Sequence, residues 1–378
     1  MTNMNNFDLA KIRADFPIVD STVYVNHAAV GPIPLSVRDA IVERADMHVY
    51  HTGTAWEDSL PLDRQGRKLA AELVNSRPER IAWIQNTSDG VSKIANGLDW
   101  RPGDNVIVPD REFPSNYFSW KKLANQGVEL RHIESEDGKT LPKNLLDIID
   151  ENTKVVALSQ VQYYNGFHCN IEEIGKICRG HSALLVVDGT QSIGAINLDV
   201  VKCNVDALIV SAHKWMMGPL GIGFMALSDQ AMKKIAVTNI GWLSFSDPFN
   251  FVREKELLPN AGRFEPGTEN STGIYGLTAR LKSILEIGPN VIEQRIIDLT
   301  DQLCAGLEAR GYQITSHRGP SEKSGIVTFT HPVTKGVTLM ERLTQQNIAV
   351  SLRAGGIRVS PHYYNSEDEI DLILSVLE

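Results

Sequence analysis

From about residue 80 to residue 227 the chain alternates short apolar runs with amphipathic stretches, and no other feature narrows its possible folds as much. The apolar runs are Arg80–Ile84, Asn105–Val108, Glu129–His132, Lys154–Leu158, Leu184–Val187, Ala207–Val210 and Gly223–Leu227. Helical patterns such as Gly90–Leu98 and Ile171–Arg179 fill gaps between them. Strands alternating with helices predict a largely parallel sheet covered on both faces, an α/β fold. Ligands of such sheets sit outside the carboxyl ends of the strands, so the polar residues just after each run are the ones to inspect.

After Gly267 the pattern changes. Long helical runs, Ile274–Ile287 and Asn290–Arg310, precede shorter strands at Tyr312–Ser316, Gly325–Thr330 and Ile348–Ser351 and a last helix at Glu367–Leu377. At 378 residues the chain is long enough for two domains. The division predicted is a large domain over 20–265, with a mostly parallel seven-stranded sheet, and a smaller α+β domain built from 1–19 and 266–378.

Lys and Arg total 37 against 46 acidic residues. That balance argues against a nucleic-acid surface, which needs cationic contacts to phosphate. The four cysteines, Cys169, Cys178, Cys203 and Cys304, show no CxxC spacing. A disulfide framework is not expected, and a reducing cytoplasm is. The start, MTNMNNFDLAKIRADFP, has no apolar core of a leader, and no run of 18 apolar residues occurs. No membrane partner is expected. His168, Cys169, Cys178 and His181 cluster in sequence but are not spaced like a zinc site, and no metal is expected.

The run Ala207–Val210 is followed by Ser211-Ala212-His213-Lys214-Trp215-Met216-Met217-Gly218-Pro219. A lysine at the mouth of a buried strand is desolvated, which lowers its pKa and makes its amine a nucleophile for carbonyl cofactors. After Leu184–Val187 comes Asp188-Gly189-Thr190-Gln191, where Asp188 is either a helix cap or an acid facing a ligand. After the first run, Asn86-Thr87-Ser88-Asp89-Gly90 is either a plain cap or a phosphate cradle at a helix N-terminus. After the second, Phe113 is a core residue or a stacking plate. Together these supply a phosphate cradle, an acid, an aromatic plate and a lysine at one sheet edge. That set matches the needs of pyridoxal 5′-phosphate.

These segments resemble the class V aminotransferase family of fold type I pyridoxal-phosphate enzymes. SAHKWMMGPLGIGF is similar to the family's Schiff-base segment, DGTQSIGA to its Asp-x-x-Gln element, and Arg263–Asn270 (RFEPGTEN) to its Gly-Thr turn. The likeness runs from Tyr24–Pro32 (YVNHAAVGP) to Arg358–Asn365 (RVSPHYYN). It implies that Lys214 carries the cofactor as a Schiff base, Asp188 pairs with the ring nitrogen and Gln191 bonds the phenolic oxygen. Phe113 would stack on the ring, and Thr87, Ser88, Ser211 and His213 would hold the phosphate. Thr268 would reach the phosphate of the neighbouring subunit, so a homodimer is implied. Arg358 would bind the substrate α-carboxylate, with His27 and Tyr163 beside it.

The cysteine desulfurase branch has a histidine where this chain has Phe113, and a nucleophilic cysteine where Ser351–Ile357 (SLRAGGI) has none. The pattern is closer to the branch of isopenicillin N epimerases and selenocysteine lyases. The family's asparagine three residues before a glycine is here Tyr163, which leaves open which of Gln162, Tyr163 and Asn165 meets a ligand. The function expected is transamination or α,β-elimination on a small α-amino acid. Epimerisation, with Tyr163 or His27 as a second acid, and cysteine desulfuration stand as alternatives. A nucleotide-binding dehydrogenase is disfavoured, because Gly218, Gly221 and Gly223 lead into a strand rather than a helix.

Overall fold

The computed structural model describes residues 7–378. Residues 1–6 of the segment 1–19 lie outside the described residues. A short strand β1 (Val23–Tyr24) comes first, followed by the strands of the main sheet. These are β2 (Ile81–Ile84), β3 (Asn105–Pro109), β4 (Glu129–Ile133), β5 (Thr153–Ser159), β6 (Leu184–Asp188), β7 (Ala207–Ser211) and β8 (Gly223–Leu227). Every apolar run becomes a strand of this sheet, in the order β2-β8-β7-β6-β5-β3-β4. All neighbours are parallel except β8, which runs against both β7 and β2.

Burial on both faces explains why these strands read as apolar runs rather than as alternations. Ile107, Val156, Leu158, Leu185, Val187 and Leu208 face one core. Their neighbours Val106, Val155, Ala157, Leu184, Val186 and Ile209 face another. The reversal at β8 leaves the carboxyl ends of β2, β3, β5, β6 and β7 on one edge, with Ser159 opposite Asp188 and Ser211 opposite Gly223.

The second sheet holds β9 (Gln313–Ile314) and β10 (Val327–Thr330). After β11 (Ile348–Ala349) it adds β12 (Ser351–Arg353) and β13 (Gly356–Val359). It is antiparallel, in the order β12-β13-β10-β9, over a third core that includes Phe329, Leu339, Ile357 and Ile370. The expected strand Tyr312–Ser316 is only two residues long, and Ile348–Ser351 is split between β11 and β12. The parallel pair β1-β11 (Val23 with Ile348) ties the start of the described chain to its end.

Two long helices, Leu35–Tyr50 and Ala55–Leu73, were not legible in the alternation. They pack against helix Ser271–Ile287. No helix among the described residues is long and apolar enough to cross a membrane.

Candidate active site

A cavity of ≈ 690 Å³ opens at the shared carboxyl edge. Its walls include Thr87, Ser88, Phe113, Tyr163, Asp188, Gln191, Ser211, His213, Lys214 and Arg358. Residues far apart in the chain thus meet in one place, most of them because five strands end there and Arg358 because β13 comes alongside. Ala28, Ala29, Thr190, Ser159 and Arg353 complete much of the lining.

The loop carrying Lys214 is clamped. Met217 N donates to Lys214 O at 2.9 Å, Gly218 N to Ala212 O at 2.9 Å, and Gly31 N to His213 O at 2.8 Å. A Cβ at Gly31 would stand 2.3 Å from Lys214 O, so only glycine lets the N-terminal segment cross there. Trp215, fully buried, donates from Nε1 to Gln191 Oε1 at 2.9 Å. The backbone is fixed while the Lys214 side chain extends into the cavity, its Nζ 5.1 Å from the Phe113 ring centre.

Burial pushes the Lys214 pKa down to about 8, with Arg358 and Arg353 adding to the effect and Asp188 opposing it. About a tenth of the residue is therefore the free amine at pH 7, and about half near pH 8. Asp188 closes β6. Its Oδ1 accepts from Thr190 N at 2.8 Å. Burial pushes this carboxyl up, while Thr190 and the charge of Lys214 pull it down. No Lys or Arg of the described residues forms an ion pair with Asp188, which leaves a buried acid facing open space.

At one end of the cavity, helix Thr87–Gly97 begins with Asn86 as its cap, accepting from Asp89 N at 3.0 Å. Thr87 N donates to Ser211 Oγ at 2.8 Å, and Thr87 Oγ1 lies 2.8 Å from Thr190 Oγ1. Ser88 Oγ donates to Ser115 Oγ at 2.9 Å. Hydroxyls from three strand ends therefore converge on a helix N-terminus, where first-turn amides lack intrahelical acceptors. Asn86 caps the helix, and Thr87 and Ser88 line the cavity.

At the other end stands Arg358, almost wholly buried on β13. Its Nη1 donates to Tyr163 O at 2.7 Å and its Nε to Ser351 Oγ at 3.2 Å, but Nη2 is buried without any partner. Burial and Arg353 lower its pKa to about 10. A buried guanidinium with an idle donor and no carboxylate is costly unless an anion completes it. Tyr163 packs edge-on to Phe113, with ring centres 5.2 Å apart. Of the three residues left open by the sequence, Tyr163 reaches the cavity. Asn165 instead donates to Gly138 O at 2.8 Å and accepts from Phe167 N at 3.0 Å, and Gln162 is buried outside the lining.

Two expected site residues lie elsewhere. His27 is fully buried, with Nδ1 2.8 Å from Ser360 O and Nε2 2.9 Å from the Tyr364 hydroxyl, and burial lowers its pKa to about 3. It does not line the cavity, and it joins the N-terminal segment to the stretch that follows β13. Thr268 lines a separate cavity of ≈ 270 Å³ with Gly221, Lys93 and Asn270.

Glu112, buried beneath the strand ends, carries no motif that marks it in the sequence. Its Oε1 accepts from Phe113 N at 2.7 Å and Ser159 Oγ at 2.6 Å, and its Oε2 from Ser159 N at 2.7 Å. Burial and the nearby Asp188 charge raise its pKa to about 7. Its position next to Phe113, before the start of a 3-10 turn, was the available signal. Arg353 gave no sequence signal, because its side of a hairpin is set by register. All four cysteines are buried, and none lines the cavity.

The profile of the family described as aminotransferase class-V matches residues 23–373. A probable cysteine desulfurase from Methanothermobacter thermautotrophicus is 29% identical over 389 residues, covering 97% of this chain and 96% of the relative. Among solved structures, the apo cysteine desulfurase of Thermococcus onnurineus superposes with a TM-score of 0.89 at 27% identity, over 98% of this chain and 97% of the other. The cystine C–S lyase C-DES, solved with its reaction product cysteine persulfide, superposes with a TM-score of 0.88 at 25% identity, over 96% and 98%.

Proposed function

The chain belongs to the class-V aminotransferase family, and from that premise we propose that it is a pyridoxal-phosphate lyase that removes the α-proton of a small α-amino acid and releases a β-substituent. Proton removal is supported by the Lys214 amine set between a buried Asp188 and a buried Arg358, and release of a β-substituent by the likeness to a cystine C–S lyase and to a probable cysteine desulfurase.

The residues fit the cofactor. Asp188 forms no ion pair among the described residues and suits a protonated ring nitrogen. Phe113 offers a ring face beside Lys214 Nζ. Thr87, Ser88, Ser211 and His213 gather at a helix N-terminus of the kind that binds phosphate. Gln191 is turned by Trp215 and by its own bond to Ala28 O at 3.0 Å. When bound, pyridoxal phosphate supplies a carbonyl that captures an amino group and a ring that accepts the electrons left at Cα.

The protein's own work is positional. Arg358 holds the α-carboxylate, which fixes the direction of the Cα–H bond. Lys214 Nζ, once free as an amine, takes the α-proton, and its lowered pKa enlarges the fraction in the basic form. Tyr163 and Phe113 pack edge to face and wall that side of the cavity.

Sulfur transfer to a protein thiol is the reading suggested by the relatives' names, and the buried cysteines weigh against it here. Burial raises the Cys169 thiol far above its ordinary value, which denies it thiolate character. Epimerisation needs a second acid. With His27 in the core, only Tyr163 remains for that role.

We also propose that Thr268 acts across a homodimer interface, supported by the exposed Trp242, which stands beside Gly267, and by the exposed Phe249 packed on Trp242. The division into 20–265 and 1–19 with 266–378 is supported by the separate core under the second sheet, although helix Ser271–Ile287 packs on the larger part.

The test is a panel of β-substituted amino acids offered to the holoenzyme. Stoichiometric 2-oxo acid and ammonia are expected. Amine transfer to a 2-oxo acid without ammonia, or substrate sulfur trapped on Cys169, would overturn the lyase reading.

A further inference from the structure

Strands β12 and β13 form a hairpin closed by Ala354 and Gly355, both with positive φ (48° and 82°). Its register places Ser351 opposite Arg358 and Arg353 opposite Gly356. Side chains two apart share a face, so Ser351, Arg353 and Arg358 point the same way. Arg353 is the diagonal neighbour of Arg358, at a spacing of about 7–8 Å between backbones that long side chains can bridge. Both arginines line the cavity that holds Lys214.

Two guanidinium groups on one face repel unless something anionic lies between them. Arg353 has no carboxylate partner among the described residues. Its Nη1 donates only to the neighbouring Leu352 O at 2.8 Å. The proximity is felt electrostatically, since Arg353 lowers the pKa of both Arg358 and Lys214. The acid in the lining, Asp188, lies at the far strand end, and Glu112 is turned away onto Phe113 and Ser159. The hairpin end of the cavity therefore carries more cation than a single α-carboxylate neutralises.

We propose that Arg353 is a substrate-binding residue for a second carboxylate, making the substrate an α-amino acid with an anionic side chain. The proposal rests on the assignment of Arg358 to the α-carboxylate and adds the side-chain end. Arg358, buried and held by Tyr163 O and Ser351 Oγ, provides the fixed anchor. Arg353, exposed on the hairpin, reaches groups of differing length. The β-substituent that departs would itself bear the second anion.

The test uses unreactive acids on the holoenzyme, titrated calorimetrically. Succinate presents two carboxylates and butyrate one, on chains of equal length. Wild type is expected to bind succinate roughly tenfold more tightly, the size of one added charge-assisted hydrogen bond on a partly exposed cation. Arg353→Gln should erase that preference and leave butyrate affinity within about twofold. Arg358→Leu should weaken both acids. The proposal is overturned if wild type shows no preference, as it would if a partner subunit's acid occupied Arg353, or if Arg353→Gln keeps the preference. Equal loss of both acids in Arg353→Gln would also overturn it, by showing a structural role alone. If neither acid binds wild type, the carboxylate role of Arg358 fails, and this inference fails with it.

Discussion

At Lys214 desolvation and the two arginines outweigh the pull of Asp188, and the amine results. Because the neutral form is the nucleophile, the apoprotein should take up pyridoxal phosphate faster as pH rises. The rate should climb roughly tenfold per unit below about 8 and level above it, as stopped-flow absorbance would record. Lys214→Ala should keep its fold and some cofactor and lose turnover. At Asp188, replacement by Asn keeps size and removes charge. Exchange of the substrate α-proton with solvent, followed by NMR, should slow by roughly a thousandfold, the scale of losing a preorganised electrostatic group; an unchanged rate would reduce Asp188 to a local cap. Glu112 gives a stability signature. Its folded pKa is raised to about 7 from 4.5, so the folded state binds more protons in that interval and stability falls as pH rises through it. The fall is at most on the order of 3 kcal/mol. Glu112→Gln should flatten urea midpoints between pH 5 and pH 8 relative to wild type.

The elements divide by how plainly their sequences declare them. Strands buried on both faces announce themselves as apolar runs, and all seven of the main sheet were legible for that reason. Helix Ala55–Leu73 was not, because Pro61 and Gly66 interrupt it and tertiary packing overrides both. Helix Leu35–Tyr50 buries only Val37 and Arg44 in full and shows little periodicity. The site followed the same rule. Residues at strand ends, such as Asp188 and Lys214, could be found from the strands, whereas Arg353 depends on a two-residue loop and His27 on a core packed from distant segments. That loop also yields a prediction. Ala354 is held at φ 48°, a region that costs an L-residue about 1 kcal/mol. Ala354→Asn suits the conformation and should raise stability by about 0.5–1 kcal/mol in denaturant titration, with no change in the site if the hairpin register is as described.

For the whole molecule, the positions of the cysteines separate sulfur transfer from elimination. Cys169, Cys178, Cys203 and Cys304 are dispersed through buried packing. Replacing all four by alanine or serine should leave turnover within about threefold, apart from a packing loss of ~1–3 kcal/mol per site. A collapse of turnover with stability retained would restore a thiol acceptor to the mechanism.

The pairing of β1 with β11 bears on how the protein is made. Residues are synthesised from one end, and Val23 must wait for Ile348 before either strand has a neighbour. The seven-stranded sheet is complete by Leu227, long before that. A ribosome can therefore carry a chain that already includes Lys214 but not yet Arg280 or His362, which bond Met216 O and Trp215 O beside it. Such a nascent chain has its sheet edge before it has the supports of its lysine loop, so a seated lysine belongs to the finished chain alone.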